Sequence, residues 1–227
     1  MPYDVPFVPS PEVVVRRMLQ LANVRKGEIV YDLGCGDGRV LIIAAREFGA
    51  RAVGIEIRKD LYEQCLRRIR DLGLEDRIEV LHGSFFDYDI SDADVVTLYL
   101  LTSVNERLRP KLERELKPGT RVVSHDFEVP GWKPIIIEDL YEEWRSHKIY
   151  LYRIRGAEIP VPSKLASEVG DYLDPLSKVI LNLIDGIASI EDIALRTGLT
   201  MRSVREIVSR LLKLGLIREI RTVKDNA

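Results

Sequence analysis

Short runs rich in Val and Ile alternate along the N-terminal stretch of the chain with segments whose apolar residues recur every three or four positions, the pattern of a parallel sheet covered by helices. A first helix is predicted to start at Ser10-Pro11-Glu12, with Ser10 as its cap and Pro in the first turn, and to carry Val14, Met18, Leu21 and Ala22 along one face. Strands are predicted at Glu28 to Leu33, Ala52 to Ile57, Ile78 to Leu81, Asp94 to Leu101 and Arg121 to Phe127. Helices fall between them at Gly38 to Phe48, Lys59 to Asp71 and Asn105 to Leu116, stopped by Gly49, Gly73 and Pro118-Gly119. Two further strands, Ile135 to Glu138 and Lys148 to Arg155, leave no room between them for a helical crossover and are expected to pair antiparallel. After Pro160, Pro162, Ser163 and Gly170, which read as a linker, come three short helical patterns, Pro175 to Ile184, Ser189 to Arg196 and Met201 to Leu214, and a strand around Ile217 to Ile220. The expectation is an α/β domain over 1–156 whose first ten residues are an arm, a linker over 157–172, and a small, mainly α domain over 173–227.

One junction carries chemistry. VYDLGCGDG lies where the first strand becomes a helix, and its glycines let the backbone turn tightly and approach a ligand beside the unpaired N–H groups of the helix N-terminus. A dinucleotide fingerprint needs its third glycine at position 39, which is Arg39; the glycine is Gly38. Asp32 adds a negative charge at the strand end, suited to an ammonium or sulfonium ligand rather than a phosphate. S-adenosylmethionine carries both cations. Glu56, in GIEI at the end of the second strand, is placed to accept from ribose hydroxyls, with Ile57 beside it, and Ser84 and Phe85 in LHGSFFD can reach an adenine ring. Candidate cofactor-binding residues are therefore Asp32, Gly34, Cys35 through its backbone, Gly36, Gly38, Glu56, Ile57, Ser84 and Phe85. The five strands with helical crossovers, followed by an antiparallel pair, match the Rossmann-like seven-stranded sheet of class I methyltransferases.

The composition narrows the setting without changing this picture. In 227 residues, 34 Lys+Arg nearly cancel 36 Asp+Glu, 46% are hydrophobic and 31% charged, which excludes disorder. The apolar runs are too short to span a bilayer. Cys35 and Cys65 are too few for a disulfide framework, and the N-terminus has no secretory pattern, so a cytoplasmic location is expected. Four Asn, two Gln, two Cys and three Met amid dense charge of both signs suggest heat adaptation.

The motifs DLGCGDGR and GIEI, the N-terminal PFVPSPEVVVRRML, the block LLTSVNERLRPKLERELKPGTRVVSHDF and the final KIYLYRI together closely resemble the archaeal broad-specificity protein-lysine methyltransferases, over about residues 3 to 155. That resemblance implies methyl transfer from S-adenosylmethionine to lysine amines of proteins, the chain itself among them, and an N-terminal segment that folds over the cofactor, so that Phe7 and Val8 cover its methionine end. Phe7 stands where the family pattern leads us to expect Tyr, and Asp126 where it leads us to expect Glu.

On the acceptor side, the Asn/Asp-Pro-Pro-Tyr/Phe clamp of adenine and glutamine N-methyltransferases is missing: the chain reads TLYLLTS there. A lysine amine needs an apolar channel, for which Tyr99, Leu100 and Leu101 are candidates, and must lose a proton before it can attack. Desolvation alone favours the neutral amine; if a dedicated base exists, His125 and Asp126 at the end of the fifth strand are the candidates. No metal is required. The segment after residue 173 resembles a winged helix-turn-helix, with Gly198 at the turn, Thr200 capping the last helix, and Arg202, Arg205, Arg210 and Lys213 available for DNA or dimer contact. A full wing is hard to build from the few residues after Ile220. Two other functions stay open: a DNA-binding regulator that senses S-adenosylmethionine, and a methyltransferase acting on RNA or a small molecule.

Overall fold

The computed structural model describes residues 7–142, 145–167 and 173–223. Its contacts divide the chain into two units, Met1–Ile154 and Arg155–Ala227. Some of the expected arm (1–6) and of the expected linker (168–172), and the chain's last four residues, lie outside the described residues.

The first unit runs α1 (Glu12–Leu21), β1 (Ile29–Leu33), α2 (Arg39–Glu47), β2 (Arg51–Glu56), α3 (Lys59–Asp71), β3 (Ile78–His82), β4 (Val95–Leu98), α4 (Thr102–Glu115), β5 (Arg121–His125), β6 (Ile136–Glu142) and β7 (Arg145–Arg153). The strands form one sheet in the order β3-β2-β1-β4-β5-β7-β6, with β1 to β5 parallel and β7 antiparallel to both its neighbours. All five residues of β1 are buried, as a strand covered on both faces must be. Its side chains alternate between two cores. Val30 packs with α1, α2 and α3 residues such as Val15, Leu41 and Ile69, whereas Tyr31 and Leu33 pack with Leu108 and Leu112 of α4. Strand order reverses between β1 and β4, and the crevice at their carboxyl ends is where ligands of such sheets bind.

The predicted fourth strand ends earlier than expected, at Leu98, and α4 starts at Thr102, three residues before the predicted start. Asn105 is the reason: instead of opening the helix it is fully buried within it, donating from Nδ2 to the carbonyls of Phe127 and Glu128 at 3.2 and 3.0 Å. Tyr99 to Leu101 are thereby released from the sheet.

The second unit contains β8 (Ala157–Pro162), a 3-10 turn over Lys164–Ser167, α5 (Pro175–Leu183), α6 (Ile190–Thr197), α7 (Met201–Lys213) and β9 (Ile217–Val223). Its helices are capped as their sequences dictate: Asp174 accepts from Ser177 N, Ser189 and Asp192 form a reciprocal capping box, and Thr200 accepts from Ser203 N. Ile180, Ile193, Val204 and Val208 fill its separate core. The expected linker over 157–172 is corrected here, because β8 pairs antiparallel with β9. Pro160 and Pro162 disguised it. Neither can donate to a ladder, yet both are tolerated in a two-stranded sheet made only of edges. β9 thus gains its partner from upstream of the helices.

Candidate active site

A cavity of about 180 Å³ opens at the carboxyl ends of β1, β2 and β4. Its floor is the glycine loop, laid over β2 by hydrogen bonds from Gly34 N and Cys35 N to the Ile55 carbonyl at 2.9 and 3.1 Å. Gly36, at φ 55°, must lack a side chain: a Cβ there would overlap the Phe7 ring. Glu56 ties the loop down from the side. One carboxylate oxygen accepts from Gly36 N at 2.9 Å and the other from Arg58 N at 2.7 Å, and the group is almost fully buried.

Asp32 faces Thr97 across the β1–β4 pairing and accepts from its hydroxyl at 2.7 Å. Burial pushes the Asp32 carboxyl up to about 7, against the pull of that hydrogen bond. A bound cation would restore its charge. Asp37 is different: burial raises it, but Arg39 and Arg68, each 2.7 Å away, outweigh burial and hold it below the usual carboxylate range. Arg39 also donates to the Ser10 carbonyl at 2.7 Å, joining the start of α1 to the loop.

At the other end of the cavity Tyr99 stacks on His125 with ring centroids 3.9 Å apart. Burial raises the Tyr99 phenol, which donates to Asp126 Oδ2 at 3.4 Å. That carboxylate is already well supplied, with Arg145 Nη2 at 2.6 Å on the same oxygen and Lys148 N at 2.9 Å on the other. Asp126 sits in left-handed backbone at φ 59°, a conformation that restricts where its side chain can point. His125 is fully buried. Its Nδ1 lies 2.8 Å from Ser10 Oγ and its Nε2 2.8 Å from Nδ1 of His147, a β7 residue. Burial pushes the His125 imidazole down to about 4. The ligand atoms of His125, Asp126 and His147 all lie within 4.8 Å of one another. Yet the nitrogen–nitrogen separation is that of a hydrogen bond, and Arg145 already neutralises the carboxylate, so the cluster is a hydrogen-bonded one.

Of the residues singled out from the sequence, Phe7, Val8, Asp32, Gly34, Cys35, Gly36, Glu56, Ile57, Ser84, Phe85 and Tyr99 line the cavity. Gly38, His125 and Asp126 do not. Gly38 starts α2 at φ 79°, and a Cβ there would strike Cys65 Sγ, so it is required by packing. Ser10 is no helix cap: the α1 cap position is Pro11, with no side-chain bond, and the Ser10 hydroxyl serves His125 instead. Thr97, His147 and Ser10 are the partners that the sequence reading missed. Only the strand parity of Thr97, opposite Asp32, offered a signal.

The family described as the ANTKMT methyltransferase domain matches residues 32–136. A protein-lysine N-methyltransferase of Saccharolobus islandicus is 53% identical over 151 residues, which are 66% of this chain and 94% of that protein. The adenine nucleotide translocase lysine N-methyltransferase of Mus musculus is 29% identical over 182 residues, 78% of this chain and 77% of that protein. Among solved structures, an RNA methyltransferase from Salinibacter ruber in complex with S-adenosyl-L-homocysteine superposes with a TM-score of 0.62 at 49% identity, covering 65% of this chain and 94% of that one.

Proposed function

Because the chain belongs to the family of S-adenosylmethionine-dependent protein-lysine N-methyltransferases, we propose that its first unit methylates lysine ε-amines of proteins, and that the cavity under Phe7 holds the methyl donor. The residues present fit that donor. Asp32 and Glu56 supply carboxylates where its cations and ribose hydroxyls would lie, Gly34 and Gly36 leave room for it, and Ser84 and Phe85 stand where an adenine would end. When bound, S-adenosylmethionine supplies an electrophilic methyl on a sulfonium. The chain's own task is to bring a neutral amine into line with it. Tyr99 and Leu100 line the cavity, and removing a lysine from water beside them favours its uncharged form. Asp126, spent on Arg145, Lys148 N and the Tyr99 hydroxyl, is proposed to position Tyr99 rather than to take the proton itself.

The observation that carries this reading is the 53% identity to a protein-lysine N-methyltransferase along nearly the whole of that relative. The test is incubation of the full chain with methyl-labelled S-adenosylmethionine and mixed cellular protein and RNA. Label on lysine side chains, located by mass spectrometry, supports it. Label confined to RNA favours the second reading, which the name of the Salinibacter ruber structure supports.

The second unit is proposed to be a winged-helix module, supported by its helix order, the left-handed Gly198 that closes α6 and the β8–β9 pair. Docking or self-association is favoured over DNA reading. Arg205 is committed to Glu158 at 2.6 Å, Arg210 to Asp174 at 2.6 Å, and Arg202 to Glu206 at 3.3 Å, so three of the four cations expected to meet phosphate are already paired.

A further inference from the structure

Lysine methylation needs a place for one proton to go, and a buried network leads away from the cavity. Ser10 lines it, and Ser10 Oγ, His125 and His147 form a continuous chain of two 2.8 Å contacts that ends 3.7 Å from Glu142 Oε2, at the end of the edge strand β6. Both imidazoles are almost wholly shielded from solvent, while Glu142 is half-exposed. Two neutral imidazoles in such a chain admit two proton arrangements. In one, His147 Nδ1–H donates to His125 Nε2 and His125 Nδ1–H to Ser10, which leaves the His147 Nε2 lone pair facing the Glu142 carboxylate. In the other, Ser10 O–H donates to His125 Nδ1, His125 Nε2–H to His147 Nδ1, and His147 Nε2–H points at Glu142. Only the second avoids setting a lone pair of His147 against the Glu142 carboxylate.

We infer that Ser10, His125, His147 and Glu142 form a proton exit wire that carries the proton of the incoming lysine ammonium from the cavity to the protein surface. The inference rests on the lysine-methyltransferase reading above. The ammonium gives one proton to Ser10 Oγ while Ser10 passes its own to His125 Nδ1. His125 Nε2 hands a proton to His147 Nδ1, and His147 Nε2 gives one up toward the Glu142 carboxylate, whose 3.7 Å separation calls for a bridging water in the last step. The lysine nitrogen keeps the electron pair that forms the new C–N bond, and each relay group ends with as many protons as it began with, both imidazoles then carrying theirs on Nδ1 and returning to the Nε2–H form before the next turnover. Five groups set the electrostatics around His125: Tyr99 stacked on it, Asp126 at 3.4 Å, His147, Arg145 across the same carboxylate, and Glu142 behind His147. Burial keeps His125 unprotonated at neutral pH, so it passes protons without storing one. His125 and His147 are positioning residues for the reaction, since neither lines the cavity.

The test is His147→Gln in the full chain, since glutamine can preserve hydrogen bonds but cannot relay a proton. Expected are a fall in kcat of about a hundredfold near neutral pH, at the low end of what a positioned proton acceptor contributes, an unchanged KM for S-adenosylmethionine, and partial recovery as pH rises and free lysine deprotonates in bulk. The solvent deuterium effect on kcat should also change. Ser10→Ala should produce the same profile, and the double variant no more than either alone. Nitrogen NMR of the unaltered protein should find His125 neutral with the proton on Nε2. A loss of kcat that is uniform across pH, an unchanged kcat in His147→Gln, or His125 protonated on Nδ1 each overturns the wire while leaving lysine methylation intact. A parent chain that labels no lysine at all overturns the wire together with the reading beneath it.

Discussion

Gly38→Ala separates two demands that the glycine loop makes on one residue. The added methyl must occupy left-handed backbone, which costs an ordinary residue about 1–2 kcal/mol, and must share space with Cys65 Sγ, where overpacking typically costs about 1–3 kcal/mol. Restricting the unfolded chain returns about 0.4–1 kcal/mol. The expected net loss is about 1–4.6 kcal/mol by these figures. Cys65→Ala empties the contested space, so in the double variant the packing loss should vanish and the backbone loss remain, giving a coupling of about 1–3 kcal/mol between the two sites. Urea unfolding followed by tryptophan fluorescence measures this cleanly, because both tryptophans of the sequence lie before Ile154 and report on the first unit alone. A Gly38→Ala protein within about 0.5 kcal/mol of the parent, the range of an inert surface change, would refute the geometric argument. So would strict additivity with Cys65→Ala. Gly36→Ala, whose methyl displaces Phe7 from the cavity, should weaken S-adenosylmethionine binding more than Gly38→Ala does.

Other consequences are open to direct measurement. The Asp32 carboxyl holds its proton to about 7 when folded against 3.8 for an ordinary aspartate, so ionising it opposes folding, and the ligand-free protein should lose stability as pH rises from about 4 to about 7. Cationic donor binding reverses this. Its affinity should fall as pH drops below about 7, with proton release seen by calorimetry in buffers of different ionisation enthalpy, and Asp32→Asn should flatten that dependence. His125 acts in the opposite sense: its folded value of about 4 lies below the ordinary 6.5, so the unfolded chain takes up a proton that the folded chain refuses, and stability should be lost as pH falls from 6.5 to about 4. His125→Phe should remove that slope in acid denaturation. Arg205→Ala leaves the nearly buried Glu158 without its cation and should destabilise the second unit by about 3 kcal/mol, with Glu158→Gln in the same chain recovering most of the loss in thermal melts.

The sheet was readable because its strands are continuous apolar runs separated by helices with glycine stops, and burial on both faces leaves little other way to fold them. This part of the cavity lining was readable for a related reason. Asp32, Gly34, Gly36 and Glu56 sit at strand ends, where chain position alone fixes their place. His147 was invisible because its role depends on the antiparallel register that sets β7 beside β5, pairing Ile149 with His125; no local pattern encodes which buried side chains will meet across that seam. Ser10 misled through its setting. Ser-Pro-Glu is a strong cap signal, and a tertiary partner overrode it. The β8 strand was missed because proline is ordinarily evidence against a strand, and only a ladder with no interior accommodates it there.

The β8–β9 pairing also fixes how the second unit would answer to mechanical load. Ala157 stands opposite Val223, at the same end of an antiparallel ladder, so tension applied between these two residues opens the pair from that end. Antiparallel hydrogen bonds lie across the strands, and loaded in this way they break in succession, as a zip does, instead of resisting together as a sheared clamp. In a pulling experiment between positions 157 and 223 the second unit should yield at low force, and the core of α5, α6 and α7 would lose its two-stranded cover before any of its helices unravels.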